Sequence, residues 1–137
     1  MKKYKTLLVG NFHNNWSLLS QFADGMEISG AVATGEEGLN IYGYLRTDVI
    51  FVDAFLKGMS GFEMARFVKE QDPAVKVVII SEKFSLDFFN MSMELGLEGY
   101  ISRNMNDDIL NHAIKNIRSG KNCFDSAIAQ MLINDRG

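Results

Sequence analysis

The sequence lacks several features that would point to particular classes of protein. A single cysteine, Cys123, excludes an internal disulfide and a metal site built from several thiolates, and it suits a reducing cytoplasm. The formal net charge is −3, and no basic cluster exceeds the short KKYK segment, which argues against direct nucleic-acid binding by this chain alone. No apolar run reaches the roughly 18 residues of a membrane span. We therefore expect a cytoplasmic protein without membrane contact, with Cys123 as a small buried or half-buried thiol.

Length and apolar content predict one domain with one core. The chain has 137 residues, 47% of them apolar and 23% charged. We expect the domain to span residues 1–120, and residues 121–137 to form a C-terminal extension. A short helix from Ser126 to Ile133 is predicted within that extension.

Five apolar runs of strand length recur along the chain and alternate with helical spacing. The runs are Thr6–Val9, Ile28–Ala33, Val49–Val52, Val75–Ile80 and Gly99–Ile101. Strands that are apolar throughout must be covered on both faces, so the pattern predicts a five-stranded parallel sheet between two layers of helices. This is a doubly wound α/β domain.

Helical periodicity fills the intervals between the strands. Apolar stripes are formed by Leu18, Leu19 and Phe22, by Phe62, Ala65 and Val68, and by Ile109, Ala113, Ile114 and Ile117. The last of these helices has Asn106 and Asp107 as candidate N-caps and Gly120 just beyond its end.

Polar residues gather where the predicted strands end. They are Gly10 and Asn11 after the first strand, Asp53 after the third, Ser81 after the fourth, and Ser102 with Arg103 after the fifth. In parallel sheets these ends lie together near the topological switch point, so the four places should form one site. Asp53 is the central question, because a carboxylate at the end of a buried strand is unfavourable unless another group compensates it.

The segments LLV, DVIFVD, GMSGFE, DPAVKVVIIS and GLEGYISR resemble, in order, the receiver domains of two-component response regulators over about residues 4–120. The resemblance implies a flavodoxin-like strand order of 2-1-3-4-5. It also implies that Asp53 is the position that accepts a phosphoryl group from a histidine kinase. Ser81 matches the hydroxyl residue that contacts that group, and Tyr100 matches the aromatic residue that switches with it.

The segment NDDILNHAIKNIRSGKNCFDSAIAQML further resembles the end of receivers that precede a LuxR-type helix-turn-helix. One alternative is therefore that the chain is the receiver half of a DNA-binding transcription regulator. The C-terminal extension would then be a stub leading to an output domain.

Departures from the family pattern change the expected chemistry. Gly10 and Asn11 stand where the family has the acid pair that holds Mg²⁺ together with the acceptor Asp, Arg103 replaces a lysine, and Lys57 replaces a proline. Mg²⁺ prefers anionic oxygen ligands, and losing these carboxylates should weaken its binding by about one to two orders of magnitude. The residual ligand candidates are Asn11, Asp53 and the Phe55 backbone carbonyl. We expect no cofactor, and Mg²⁺ weakly at most.

Arg103 suggests a different partner for Asp53. A guanidinium can grip a carboxylate and supply part of the charge compensation that Mg²⁺ would give. We expect an Arg103–Asp53 pair that holds one conformation without phosphorylation; the alternative is that Arg103 points to solvent.

The fourth predicted helix has apolar residues on two faces. The resemblance places Phe89, Ser92 and Met93 inward, which leaves Phe88, Met91 and Leu95 as a candidate contact surface, unless the C-terminal extension covers it. The resemblance also makes this helix, the fifth strand and the fifth helix the expected face for a homodimer.

These observations favour a degenerate receiver that acts mainly through protein–protein contacts and is not an enzyme. Its partner would be a histidine kinase or another signalling protein. The remaining alternative is a conventional receiver phosphorylated on Asp53, with self-dephosphorylation as its only chemistry.

Overall fold

The sheet has the predicted parallel, doubly wound architecture. The computed structural model describes residues 4–12 and 26–136, with side chains described as far as residue 133. Five parallel strands lie in the order β2-β1-β3-β4-β5, which confirms the predicted order. They are β1 (Tyr4–Val9), β2 (Met26–Val32), β3 (Val49–Asp53), β4 (Lys76–Ser81) and β5 (Gly99–Ser102). Each boundary lies within two residues of its prediction.

Five helices lie in the part of the chain that the structure describes, on both faces of the sheet. They are α1 (Gly35–Ile41), α2 (Gly61–Gln71), α3 (Leu86–Glu94), α4 (Asp107–Arg118) and α5 (Phe124–Arg136). The helix predicted from Leu18, Leu19 and Phe22 falls outside the described residues. The predicted fourth and fifth helices correspond to α3 and α4.

Short polar side chains determine where the first four of these helices begin. Thr34, Ser60, Ser85 and Asn106 each accept a hydrogen bond from a backbone N–H three residues further on. Such a cap satisfies one of the donors that the first turn of a helix leaves unpaired. The prediction of Asn106 as a cap is confirmed, and Asp107 is the first residue of α4.

The burial of the strands accounts for their apolar sequences. All five residues of β3 and all four of β5 are buried, including the carboxylate of Asp53. β2 is an edge strand and is largely half-buried or exposed. The predicted inward stripes are confirmed by Ala65, Val68, Ala113 and Ile117, which have no exposed surface.

The C-terminal helix is longer than the sequence predicts. The prediction covered Ser126 to Ile133, whereas α5 begins at Phe124 and runs to Arg136. It contacts both β5 and α4. Cys123, just before it, is fully buried, as expected.

A membrane-spanning helix was not expected, and in the described part of the chain no helix combines the length and the apolar character needed to cross a bilayer.

Candidate functional site

Main-chain hydrogen bonds bring the strand ends together at one edge of the sheet. Gly10 N–H donates to Val32 O, Ala54 N–H donates to Ile80 O, and Arg103 N–H donates to Ser81 O, each at 2.8 Å. Each loop therefore leaves its strand while still tied to a neighbouring strand. This geometry places the groups that follow β1, β3 and β5 around one pocket.

Asp53 lies at the centre of this pocket and is only 8% exposed. Its Oδ2 atom accepts hydrogen bonds from the Asn11 backbone N–H at 3.1 Å and from Arg103 Nη2 at 2.8 Å. The ion pair predicted from the sequence is present, with Arg103 turned into the pocket rather than toward solvent. Two donors on one oxygen compensate part of the cost of burying the charge.

Arg103 is held in place by more than its carboxylate partner. Its Nη2 atom also donates to Asn11 O at 2.8 Å, and Nη1 lies 3.5 Å from Glu82 Oε2. The guanidinium carbon lies 5.2 Å from the centre of the Phe12 ring, a distance at which a cation and an aromatic face attract each other. The side chain is accordingly only 15% exposed.

Phe12 and the backbone of Asn11 were not predicted as parts of this arrangement. Asn11 itself is exposed, and its main-chain N–H and C=O make the contacts with Asp53 and Arg103. Phe12 is 4% exposed. An aromatic residue just after the first strand and an arginine just after the fifth were the available signal, but only the fold brings the two together.

Gly10 occupies a position that no acidic residue could fill without rearrangement. Its φ angle is +128°, in a region that favours glycine, and a Cβ atom there would lie 2.7 Å from Asp53 Cβ. The Asp53 side chain therefore takes up the space where a side chain at position 10 would begin.

Burial and hydrogen bonding act in opposite directions on Asp53. Burial raises the pKa of its carboxyl above the ordinary value of 3.8, and the charge of Arg103 with the Asn11 N–H reduces that rise without cancelling it. The pocket therefore disfavours the ionised carboxylate even with its arginine partner present.

The described residues of the pocket fit a magnesium ion poorly. No group of three or more His, Cys, Asp or Glu side chains suited to a metal exists among residues 4–12 and 26–136. Of the residual candidates, Asp53 presents an oxygen that already has two donors, and Asn11 faces the carboxylate through its N–H. A divalent cation that binds Asp53 Oδ2 would have to displace the Arg103 guanidinium.

Ser81 and Tyr100 form a buried hydrogen-bonded pair beside the pocket. Tyr100 has no exposed surface, and its hydroxyl bonds to Ser81 Oγ and accepts from the Ser85 backbone N–H at 2.9 Å. Ser81 Oγ donates to Lys83 O at 2.7 Å. The ring and its hydroxyl therefore hold the loop between β4 and α3 against the sheet.

The Tyr100 hydroxyl should contribute measurably to stability. Replacing Tyr100 with phenylalanine leaves the Ser85 N–H and the Ser81 hydroxyl without this partner, and we expect a loss of about 1–2 kcal/mol in the free energy of unfolding. Urea denaturation measures it. Tyr44, which is 89% exposed, provides the matched Tyr→Phe control, and equal losses in the two variants would contradict the role of the buried hydroxyl.

The outward surface of α3 differs from the sequence prediction. Phe88 is half-buried because the rings of Phe55 and Phe62 lie 5.4 and 5.2 Å from its own, and Leu95 is half-buried too. Met93, predicted inward, is 53% exposed. Phe88, Phe89 and Ser92 define the inward face of α3. Met93 follows Ser92 by one residue, and the helical rotation of 100° per residue turns its side chain to the flank of the helix.

The proposed contact surface is therefore only partly as predicted. Met91 is 40% exposed, whereas the strongly exposed neighbours are Leu86 and Met93, each at 53%. The rings of Phe55, in the loop after β3, and Phe62, in α2, cover Phe88. The C-terminal extension packs instead against Phe89 through Phe124, whose ring centre is 5.5 Å away.

Comparison with known proteins decides the family. The profile of the response regulator receiver domain matches residues 7–115. The chain belongs to this family. As a receiver domain it is a signalling module of two-component systems, which agrees with the prediction made from the strand-end motifs.

The curated relatives are longer proteins. Response regulator GacA of Pseudomonas aeruginosa is 27% identical over 109 residues, which make up 80% of this chain and 51% of GacA. Transcriptional regulatory protein MctR of Rhizobium johnstonii is 25% identical over 113 residues, 82% of this chain and 53% of MctR. The chain thus spans about half the length of the curated relatives it matches.

Solved receiver structures share the fold. A two-component response regulator of the LuxR family from Aurantimonas sp. SI85-9A1 superposes with a TM-score of 0.79 at 21% identity, covering 96% of this chain and 99% of that chain. The isolated REC domain of RcsB from Salmonella enterica serovar Typhimurium gives a TM-score of 0.78 at 12% identity, with 88% and 92% covered.

Proposed function

We propose that this receiver domain is atypical and acts mainly through protein–protein contacts, with its acceptor pocket closed by Arg103. The observation that carries the proposal is the ion pair between Arg103 Nη2 and Asp53 Oδ2 at 2.8 Å. The guanidinium supplies in cis the positive charge that Mg²⁺ supplies in the family. The negative charge of the acceptor carboxylate is therefore already compensated by Arg103 in the unphosphorylated chain.

The geometry of Gly10 supports the same conclusion. Restoring the family's acid at position 10 would bring a Cβ atom to 2.7 Å from that of Asp53 and impose a φ of +128° on a residue with a side chain. The ordinary metal-dependent reaction, in which a metal neutralises the transferred phosphoryl group, is therefore disfavoured. Residual phosphorylation of Asp53 with self-dephosphorylation is the alternative.

The buried position of Tyr100 supports a single signalling state. Its hydroxyl is bonded to Ser81 and to the Ser85 N–H, so two hydrogen bonds hold the ring in its buried position. Ser81 and Tyr100 would then act as fixed structural partners, where the family uses the matching residues as a switch.

The partner surface that we propose lies on α3. Leu86, Met91 and Met93 expose flexible apolar side chains in one short helix, which is typical of protein contact surfaces. Phe88 and Leu95 would support this surface from below. The partner would be a histidine kinase or another signalling protein, and a homodimer would use α3, β5 and α4.

Titration with Mg²⁺ tests the closed pocket. We expect the wild type to bind Mg²⁺ more weakly than millimolar and to stay unphosphorylated with acetyl phosphate. The double variant Asn11→Asp/Arg103→Lys restores a carboxylate without a side chain at position 10, and it should bind Mg²⁺ about 10 to 100 times more tightly. Calorimetry measures the affinity, and intact-protein mass measures the phosphoryl group on Asp53.

The matched control is Asn90→Asp, which adds the same charge at an exposed position on α3. It should leave Mg²⁺ affinity unchanged. Millimolar or tighter binding by the wild type, together with phosphorylation or a beryllofluoride-dependent change in its amide NMR spectrum, would establish the conventional phosphoacceptor instead.

A second candidate function rests on the length and names of the relatives. MctR is a transcriptional regulatory protein, and the chain matches 53% of its length. Residues 1–120 would then be the regulatory half of a longer transcription regulator, with residues 121–137 leading to its DNA-binding half. A basic helix-turn-helix encoded directly after Gly137, and DNA binding by that longer product, would establish this function.

A further inference from the structure

The C-terminal segment, residues 121–136, docks on the edge of the sheet at β5. Cys123 N–H donates to Glu98 O at 2.9 Å, just before the strand begins. The Cys123 side chain lies directly over Gly99, where a Cβ atom would be 3.3 Å from Cys123 Cβ. The Phe124 ring packs edge-on against Phe89. The segment therefore packs closely against the start of β5 and against Phe89.

This docked face is small and partly polar. Its buried side chains are Cys123, Phe124, Ser126, Ala127 and Gln130. The Ser126 hydroxyl is buried and has no hydrogen-bond partner among the described residues, which lowers the net gain from docking. We therefore expect the segment to separate from β5 at a lower free energy than the rest of the domain unfolds.

The connection between α4 and the segment provides a hinge. Residues 119–122 are all exposed. Gly120 has a φ angle of +81°, and Lys121 N–H closes the turn on Asn116 O at 2.8 Å. In a right-handed helical conformation the same glycine would continue α4 and carry the segment away from its own β5. Glycine adopts both conformations readily, so rotation at one residue decides the direction of the segment.

We propose that two copies of this chain exchange their C-terminal segments, so that the segment of each copy docks on β5 of the other. The site on β5 already fits residues 121–136 of its own chain. An identical segment from a second copy would therefore make the same contacts there. The exchanged dimer needs no new interface, because only the hinge changes. The proposal is independent of whether Asp53 is phosphorylated.

A disulfide between the docked elements distinguishes exchange from cis docking. In a Gly99→Cys variant the new Cβ would overlap the present position of Cys123 Sγ, so the Cys123 thiol has to change rotamer. The two Cβ atoms lie 3.3 Å apart, close to the range of about 3.5–4.5 Å found in disulfides. Oxidation with diamide, which takes up the two electrons and two protons of the thiols, links residues 99 and 123. A cis-docked chain then runs as a monomer on a non-reducing gel, and an exchanged pair runs as a covalent dimer.

We expect the covalent dimer to become the main product when the concentrated Gly99→Cys variant is oxidised, and the monomer to dominate in dilute solution. The matched control is Gly43→Cys, at a position with no neighbouring atoms within 4 Å. It reports collisional cross-linking and should give less dimer at every concentration.

The hinge supplies a test that leaves β5 unchanged. Alanine at position 120 disfavours the left-handed conformation and favours continued helix, which should shift the exchange equilibrium about tenfold or more per chain. Sedimentation should therefore show more dimer for Gly120→Ala. Gly96→Ala is the matched control, since Gly96 follows α3 with a φ of +69° and has no neighbours within 4 Å.

Two results would overturn the exchange. One is a Gly99→Cys variant that oxidises only to monomer at high concentration, whether or not the protein dimerises by another surface. The other is a Gly120→Ala variant that is no more dimeric than Gly96→Ala, and this result decides the question even if Gly99→Cys fails to fold.

Discussion

Replacing Arg103 with alanine is expected to lower the free energy of unfolding by about 3 kcal/mol at neutral pH, because a buried carboxylate loses its counter-charge. Among the described residues, Asp53 would keep the Asn11 N–H as its hydrogen-bond donor. The side chains of the pair are 15% and 11% exposed, so solvent can screen little of this loss. Urea denaturation of the wild type and the variant measures it.

The loss should depend on pH with a definite sign. Burial raises the pKa of Asp53, so the folded state binds the proton more tightly than the unfolded state. The free energy of unfolding therefore falls as pH rises from the unfolded pKa of Asp53 to its folded pKa. Removing Arg103 removes two interactions that lower this pKa, and it therefore rises further. The destabilisation of Arg103→Ala should be largest above the variant's folded pKa and shrink as pH falls through that pKa, where Asp53 becomes neutral.

A double-mutant cycle separates the pair from its surroundings. Asp53→Asn removes the buried charge while Arg103 keeps its bond to Asn11 O, so this single change should cost less than Arg103→Ala. The double variant Asp53→Asn/Arg103→Ala should recover most of the loss. Arg66→Ala is the matched control, because Arg66 pairs with Glu70 at the surface with 71% of its side chain exposed, and its loss should stay within about 0.5 kcal/mol. A pH-independent loss, or one no larger than in Arg66→Ala, would remove the basis for the closed pocket.

Gly61→Ala is expected to destabilise the domain by about 3 kcal/mol or more, since it forces a methyl group into main-chain atoms. A Cβ at position 61 would lie 2.8 Å from the carbonyl carbon of Asp53 and 3.1 Å from Ala54 Cα. Main-chain atoms cannot relieve the overlap by changing rotamer, so β3 and α2 would have to separate. Thermal or urea unfolding measures the loss.

Gly43→Ala is the matched control for this substitution. No atom in the part of the chain that the structure describes lies within 4 Å of a Cβ at position 43, so alanine there should leave stability unchanged or raise it slightly. The overlap at Gly61 falls on the main chain of Asp53, so the variant should also disturb the Arg103–Asp53 pair. A Gly61→Ala protein as stable as Gly43→Ala would show that the close packing of α2 on β3 is not required.

The architecture could be predicted because it depends on local and repeated signals. Apolar runs such as Val49–Val52 identify strands that are buried on both faces, and short polar caps such as Asn106 mark helix starts. The motifs at the strand ends identified the family, and the family profile confirms it. The pairing of Asp53 with Arg103 followed from charge compensation at one edge of a parallel sheet.

Other features depended on rotations and contacts that no local pattern specifies. Phe88 belongs to the inward face of α3, because the rings of Phe55, in the loop after β3, and Phe62, in α2, cover it. Met93 lies on the flank of the helix and is exposed. The residues of α5 give no comparable one-sided pattern, so its docking on β5 could not be read from them. The absence of a side chain at Gly99 decides where Cys123 lies.

The sequence by itself determined that this chain forms a receiver-type sheet with an aspartate, Asp53, at the end of the third strand and without the family's acid pair. Only the tertiary structure decided which other groups join Arg103 around that aspartate. Phe12 and the main chain of Asn11 lie about ninety residues before Arg103 in the sequence. All three nevertheless meet around Asp53. The physical reason is that parallel strands bring distant loops to one edge, where a buried charge takes the donors that the fold places within reach.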